Sequence, residues 1–422
     1  GLNVSGNATL TNATVSGETQ TGTGAVVSGK LTADDTTQVT GKATQDGGTG
    51  VTLNGTVTGG KVDGTATSGD AVQLAEGAAL TNAVVTGNAT TGTGLNVSGN
   101  ATLTNATVSG ETQTGTGAVV SGKLTADDTT QVTGKATQDG GTGVTLNGTV
   151  TGGKVDGESV QGTGLQLADN AVVTNATLKG VSTSGSGVAV TGNISLDDTT
   201  AVALNATSGS GAGLSLEDNA NVSIVSITTV TQEKKDSDGN TVTDATGNPV
   251  METITMTTPV TTPVTLAGIS QSGSGVATSG NVSISGVVLN GSATTAEGTG
   301  ATLGGNLTIA DNISGITVNA VGNGTALVVD SATIKADGYT STGKGFVINA
   351  STSDSGGTAI KTQGNNQLGD VTLNGTAING GTAVELGGQV SGGQITGTSD
   401  SGQAVVVSGE VSVDGTDVKG HS

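Results

Sequence analysis

The chain has 422 residues and a formal net charge of −21, with no Cys, no Trp, one Tyr and one Phe. It has no aromatic-rich core, since aromatics bury the most area per residue, and no disulfide or thiolate chemistry. All 13 basic residues are Lys, which argues against nucleic acid and against an anionic membrane surface. The acidity reads as solubility for a long molecule. No run of about 18 apolar residues is present, so no helical membrane span is expected. The chain begins without Met and begins and ends inside its own repeat, which we read as a section of a longer protein.

Residues 1–64 and 94–157 are identical at an offset of 93. Within that unit the phrase Gly-x-Gly recurs, at Gly22–Gly24, Gly48–Gly50, Gly92–Gly94 and Gly115–Gly117, and it continues to Gly343–Gly345. Most steps are roughly 21 to 26 residues, the length of one solenoid coil. A step near Ala71 completes four sub-repeats in the duplicated unit. Gly is 75 of 422 residues. That abundance suits disorder, but Val, Leu, Ile and Ala stay in register with the glycines, and low-complexity linkers keep no register.

Apolar residues alternate after each marker: Leu2 and Val4, Ala25 and Val27, Val51 and Leu53, Leu165 and Leu167, Val188 and Val190, Leu214 and Leu216. Period two predicts strands with one inward face. A second run follows in the same repeat, as in Ala8, Leu10, then Ala13, Val15. Turns such as Ser5-Gly6-Asn7 and Asp34-Asp35-Thr36-Thr37 separate the runs. Two or three short strands per repeat, without helical periodicity, predict a parallel β-helix, since a lone coil cannot bury its apolar face but a stack can. Right-handed crossover preference makes it right-handed. About 17 markers predict a rod of roughly 80–90 Å at ~4.8 Å per coil. A tandem β-sandwich with a period near 93 is disfavoured, because sandwich strands would not share one marker phrase.

The regularity breaks between Gly213 and Gly275, where the interval is more than twice the usual step. We read that interval as two coils plus about 15 extra residues. It holds all three prolines (Pro249, Pro259, Pro263) and both methionines (Met251, Met256). Val222–Thr231 and Val250–Thr258 alternate around the turn signal Asp238-Gly239-Asn240. The expected organisation is therefore regular coils at 1–221, an extra-helical hairpin or arm at 222–264, and coils again at 265–422. The arm carries Lys234, Lys235, Asp236 and Asp238 as candidate binding residues. One further irregular coil is expected near Gly345 and Gly357.

Catalytic and metal constellations are missing. His421 is the single histidine and sits next to the C-terminus, against a Ser-His-Asp triad or a His metal site. Asp34-Asp35, Asp127-Asp128 and Asp197-Asp198 each lie in an Asp-Asp-Thr-Thr turn. Glycosidase carboxylates would need companions across a groove, so we read solvated turns. Asp236, Asp238, Asn240 and Asp244 resemble a calcium loop only loosely, with the Gly misplaced and no closing Glu. No cofactor is expected.

One motif is over-represented. Asn-x-Ser/Thr occurs 20 times: at Asn3, Asn7, Asn12, Asn54, Asn88, Asn96, Asn100, Asn105, Asn147, Asn175, Asn193, Asn205, Asn221, Asn281, Asn290, Asn306, Asn312, Asn323, Asn349 and Asn374. Four are copies made by the duplication. Asn is a good turn residue and Ser/Thr suit strands, yet the same tripeptide is a glycan acceptor. Both readings stand at this point.

The tracts Gly94-Leu-Asn-Val-Ser-Gly-Asn100 and Gly185-Ser-Gly-Val-Ala-Val-Thr-Gly-Asn193, with their Thr-Asn-Ala-Thr turns, resemble the shaft of filamentous-haemagglutinin-type exoproteins. The resemblance covers the chain except about residues 222–264. It implies a secreted bacterial surface adhesin, exported through an outer-membrane partner in a two-partner system. It also implies attachment to a host-cell surface protein or glycan, and hexoses on Asn-x-Ser/Thr. Flagellin is a further implied partner, by likeness to adhesins with long exact repeats that bridge flagella to host cells. The family's Asn-Pro-Asn-Leu secretion signature is not in this sequence. The function expected is a non-enzymatic adhesive rod. The alternatives are the stalk of a contact-dependent toxin-delivery exoprotein and a β-helix polysaccharide-degrading enzyme.

Overall fold

A computed structural model of the protein describes residues 1–138, 140–197, 204–235, 240–243, 248–311, 313–320, 324–337, 346–353 and 355–422. Its described residues contain no helix. They form a parallel β-solenoid of about 16 stacked turns, each built from three strands. Turn 1 consists of Leu2–Val4, Ala8–Leu10 and Thr14–Thr19; turn 2 of Thr23–Val27, Lys30–Ala33 and Gln38–Ala43. The third strands make one sheet of 16, and the first and second strands make the other walls. From turn 12 onward the first two strands often merge, as in Thr299–Ile309 and Gln403–Asp414.

Period-two alternation becomes columns. Leu2 stacks under Ala25, Ala25 under Val51, Val51 under Val72 and Val72 under Leu95. The column runs to Val384 and Val405 at the far end. From turn 2 to turn 15 nearly all its members are fully buried, and they belong to one continuous aliphatic core. Each buried Leu or Val contributes on the order of 1.5–3 kcal/mol relative to exposure.

The Gly-x-Gly marker has a physical cause that alternation does not reveal. The second marker glycine, replaced by Ala71, Ala326, Ala359, Ala383 and Ala404 in five turns, lies where the first strand crosses the third strand of the turn before. There the third strand carries its own inward glycine column, in which Gly87, Gly110, Gly134 and Gly157 are register partners in succession. A Cβ on Gly134 would collide with the Gly143 carbonyl, and a Cβ on Gly110 with that of Gly117. Two backbones touch with no side chain between them, which narrows the interior.

The first marker glycine serves a buried hydroxyl ladder. Ser182 Oγ donates to the Gly162 carbonyl at 2.7 Å and accepts from the Gly185 N–H at 2.9 Å. Ser208 and Ser270 repeat this one and two turns on, with the same distances. Each hydroxyl satisfies a donor and an acceptor that the corner buries, as interior polar groups require.

The long interval between Gly213 and Gly275 is a single turn. Leu214 of turn 10 pairs directly with Val276 of turn 11, and Ala206 of turn 9 with Gly268 of turn 10. Reading it as two coils overcounts by one, so the turns number about 16 and not 17; the stack is then roughly 70–77 Å long. Val222 and Ile224, expected to open the arm, are 1% exposed inside turn 10. What leaves the wall is an antiparallel ladder from the Val225–Pro259 pair to the Glu233–Met251 pair.

The glycine contact generates a test. Gly134→Ala should lower stability by about 1–3 kcal/mol through overpacking, read as an earlier thermal transition by circular dichroism. Gly6→Ala, where an added Cβ meets nothing within 4 Å, should leave the melt unchanged. Equal effects of the two would remove the backbone contact as the cause.

Candidate functional site

The described sequon asparagines sort into four settings. At the corner between second and third strands, Asn12, Asn105 and Asn175 take φ of 50, 48 and 52°. Asn82 has the same conformation without a sequon, and Gly59 and Gly152 replace Asn at that corner in turns 3 and 7. The left-handed conformation selects Asn or Gly there, so Asn is required by the backbone whatever follows it.

At the entry to the second strand, asparagines are tied to a carboxylate one turn below. Asn100 gives its N–H to Glu76 at 2.9 Å and its Nδ2 to the same side chain at 2.8 Å. Asn193 binds Asp169 in this way, and Asn281 binds Asp218. Asn306 donates to Asn281 Oδ1 at 2.8 Å. Asn7 is the turn 1 copy of Asn100.

A third group lies on the outer face of the third strands. Asn205 shares one register column with Asn290, Asn349 and Asn374, interrupted by Ala267 and Thr317. The remaining sequon asparagines are scattered over the first strand, its following corner and the outer wall. Asn96 donates to Asp70 at 2.7 Å, while its Oδ1 is buried without a partner. Asn221 is half-buried and donates to Asn193 Oδ1 at 3.1 Å.

Chemistry at Nδ2 requires an accessible, unengaged amide. In Asn3, Asn7, Asn12, Asn54, Asn88, Asn147, Asn175, Asn205, Asn290 and Asn349 the Nδ2 makes no hydrogen bond to the described residues; Asn290 is half-buried and the rest are exposed. In Asn96, Asn100, Asn105, Asn193, Asn221, Asn281, Asn306 and Asn374 it is donated to a neighbour. Asn312 and Asn323 lie outside the described residues. The tripeptide makes the twenty look equivalent, and stacking divides them.

Two of the Asp-Asp-Thr-Thr turns, at Asp34 and Asp127, are staples between turns, a role their reading as solvated loops missed. Asp34 accepts from the Thr37 hydroxyl at 2.6 Å, from Thr36 at 2.9 Å and from the Asn12 N–H of the turn below at 3.0 Å. Asp127 does the same with Thr130, Thr129 and the Asn105 N–H. Asp197 is buried and Asp198 lies outside the described residues. The Thr37 and Thr130 hydroxyls do most to hold Asp34 and Asp127 below the usual carboxylate range. Asp169 and Asp400 are lowered chiefly by the Asn193 and Asn379 N–H groups. At Asp311 burial pushes upward, but hydrogen bonds from Ser314, Gly286 and Ser285 outweigh it. The staple is legible as a carboxylate one turn's length from an Asn, a spacing visible only once the turns are stacked.

The arm is the other candidate. Its ladder of nine pairs is roughly 25–30 Å long. Beyond Glu233 the chain forms isolated antiparallel bridges, Lys235–Thr241 and Thr243–Pro249. Lys234 N–H donates to Val250, Val250 N–H to Val242 and Val242 N–H to Lys234, each at 2.8 Å. Lys235 is engaged, lying 3.3 Å from Glu233 Oε2 and 2.6 Å from Thr241 Oγ1. The Thr241 hydroxyl, then Lys235, hold Glu233 below its ordinary range. Lys234 is exposed; Asp236 and Asp238 lie outside the described residues, and with them most of the calcium-loop reading. Met251 and Met256 are 55% and 48% exposed.

Among the described residues no group of three His, Cys, Asp or Glu side chains could hold a metal ion. Comparison with protein-family models and with curated proteins finds no match.

The staples set an acid limit. Carboxylates whose native pKa is depressed stabilise the fold above the unfolded aspartate range, and that contribution is lost as pH falls through the native values. Thermal stability should therefore hold from neutrality to about pH 4 and fall below it. Asp127→Ala should lower the neutral melting temperature and shrink the acid-induced drop; a pH profile parallel to wild type would count against the staple.

Proposed function

We propose that the chain is the shaft of a secreted bacterial surface adhesin, a rod that carries attachment surfaces and has no catalytic role. The observation that supports it most is the arm: one antiparallel insertion leaves the wall of turn 10 without disturbing the pairing of turns 10 and 11. A regular shaft with one lateral projection suits presentation of a contact surface away from a cell. Exposed methionines adapt to varied partner surfaces, and the arm concentrates both of them. Host-cell protein or glycan is the partner class we favour for it, with flagellin as a second partner along the rod.

The rod also carries the asparagines as glycan acceptors in this reading. Modification is expected at unengaged amides and depleted at those donated to neighbours. A β-helix can equally carry catalysis, but here Asp34 and Asp127, the first members of two of the carboxylate pairs, are occupied in the stacking of turns.

Two measurements check these claims. Replacing residues 228–256 by Asn-Gly closes the ladder at the Ile227–Thr257 pair with a favoured hairpin turn. The circular dichroism spectrum and melt should be retained, and host-cell binding should drop at least several-fold; undiminished binding by a folded variant would take adhesion away from the arm. Mass spectrometry of protein from its native host should show hexose increments, with glycopeptides at Asn88, Asn147 and Asn205 exceeding those at Asn100, Asn193 and Asn281. A mass equal to that of the sequence, or the opposite site preference, would end the glycan reading.

A further inference from the structure

Asn-Gly is the dipeptide most prone to lose its side-chain amide without an enzyme, because glycine puts no Cβ beside the nitrogen that attacks. It occurs six times in the chain, at Asn54, Asn147, Asn290, Asn323, Asn374 and Asn379. The reaction needs a side-chain amide that is not tied down and a following N–H that is not donated. Asn323 lies outside the described residues. The other five differ in both respects.

Three are held. Gly291 and Gly375 sit inside third strands with parallel partners on both sides, where the ladder takes the backbone N–H and keeps the chain extended. Asn374 also donates its Nδ2 to Asn349 Oδ1. Asn379 gives Nδ2 to the Ser353 carbonyl at 2.8 Å, and the Gly380 N–H goes to Asp400.

Asn54 and Asn147 are different. They occupy the corner between first and second strands in turns 3 and 7, are exposed, and donate Nδ2 to none of the described residues. In turns 2 and 6 the same corner is Ser-Gly, and both of its N–H groups donate to one carbonyl of the turn below. Ser28 and Gly29 share Val4, and Ser121 and Gly122 share Val97, each at 3.0 Å. In turns 3 and 7 only the Asn N–H reaches that carbonyl, Asn54 to Val27 and Asn147 to Val120, both at 3.0 Å. The next N–H, of Gly55 or Gly148, is given to none of the described residues, while Thr56 and Thr149 are bonded again, to Gly29 and Gly122. The glycine itself is fixed by packing. A Cβ on Gly55 would collide with the Gly29 carbonyl, and one on Gly148 with the Gly122 carbonyl. Stacking thus dictates Gly after Asn and leaves its nitrogen free.

We propose that Asn54 and Asn147 are self-modifying sites, which convert to aspartate and isoaspartate in the folded rod while the other described Asn-Gly pairs are protected. The Gly55 nitrogen bonds to Asn54 Cγ, and its proton and the side-chain amide leave together as ammonia, closing a succinimide. Water then opens the ring at either carbonyl. One opening gives aspartate; the other gives isoaspartate, whose main chain runs through Cβ and Cγ and is one carbon longer. No oxidant, metal or sugar takes part. Each event adds a negative charge, and the isoaspartate form lengthens the corner between two N–H groups that tie it to the turn below. Both residues head Asn-Gly-Thr, so conversion also ends their use as glycan acceptors; that consequence alone rests on the glycan reading above.

The test uses the 422-residue chain made without a glycosyltransferase, so that sugar neither helps nor hinders. Native and urea-unfolded samples are held for weeks at mildly alkaline pH and digested with trypsin, and the amide-to-acid mass increment is localised by fragmentation. Residues 43–61 and 136–154 give one and the same tryptic peptide, so a single species reads Asn54 and Asn147 together. In the unfolded chain the five sites should convert at similar rates. In the native rod Asn54 and Asn147 should stay close to that rate, while Asn290, Asn374 and Asn379 slow by about ten-fold or more, since they react only through local opening. Ser121→Asn places the same dipeptide in a corner whose Gly122 N–H is donated, and with its fold verified by circular dichroism it should convert correspondingly slower than Asn147. Native Asn54 and Asn147 as slow as Asn374, or strand sites as fast as they are, would overturn the proposal. Conversion of the Ser121→Asn site at the Asn147 rate would do so too, by removing the free nitrogen as the cause. Should that variant lose structure, the native and unfolded rates of wild type decide alone.

Discussion

Contact between two bare backbones governs this molecule. Where the first strand of one turn crosses a third-strand glycine of the turn before, a Cβ on that glycine would collide with the crossing backbone, as at Gly134 against Gly143. The exclusion sets the distance between the walls, and the distance sets the rest. A narrow interior admits Val, Leu, Ile and Ala in single columns and has little place for aromatics. The inward glycine column is interrupted at Ala206, between Gly180 and Gly268, and again where Gly291 is followed by Val318 and Ala350 before Gly375 restores it. The one Phe of the chain, Phe346, is buried in the same strand as Ala350.

A stack of this kind cannot be stabilised by one turn's contacts alone. Several corner polar groups are satisfied across turns: Ser182 links Gly162 to Gly185, and Asp127 reaches the Asn105 N–H. Carboxylates that look like a charged surface loop are the donors' acceptors. That use explains why Asp and Asn recur together at corners. At Asp34, Asp127, Asp169 and Asp400 the charge is compensated locally by N–H and hydroxyl groups.

Strand alternation, the solenoid class and the interruption near residue 230 were all legible in the sequence, because period two and marker spacing are one-dimensional signals. The inward glycines of the third strands were not, since Gly110 and Gly134 look like turn residues until the opposing wall is placed. Nor could spacing separate Asn147 from Asn100. Both sit in the same tripeptide, and only the turn below decides whether Nδ2 is donated to a carboxylate. The turn count failed by one for a related reason: sequence length between Gly213 and Gly275 cannot say whether residues go around the rod or out of it.

The insertion and the duplication then follow from one property. A turn is held by the turn before it and the turn after it, so any change that returns the chain to the same column leaves its neighbours undisturbed. The arm does this by leaving after Val225 and returning at Pro259, its own ladder partner. The duplicated segment does it by adding whole turns, so that Val72 receives Leu95 as its next column member just as any other turn would. Length and projections can both vary without renegotiating the core. The close approach is kept by Gly at most crossings and by Ala at the rest, where Ala71, Ala326, Ala359, Ala383 and Ala404 take the marker position, so the side chain there stays small while the outward faces differ.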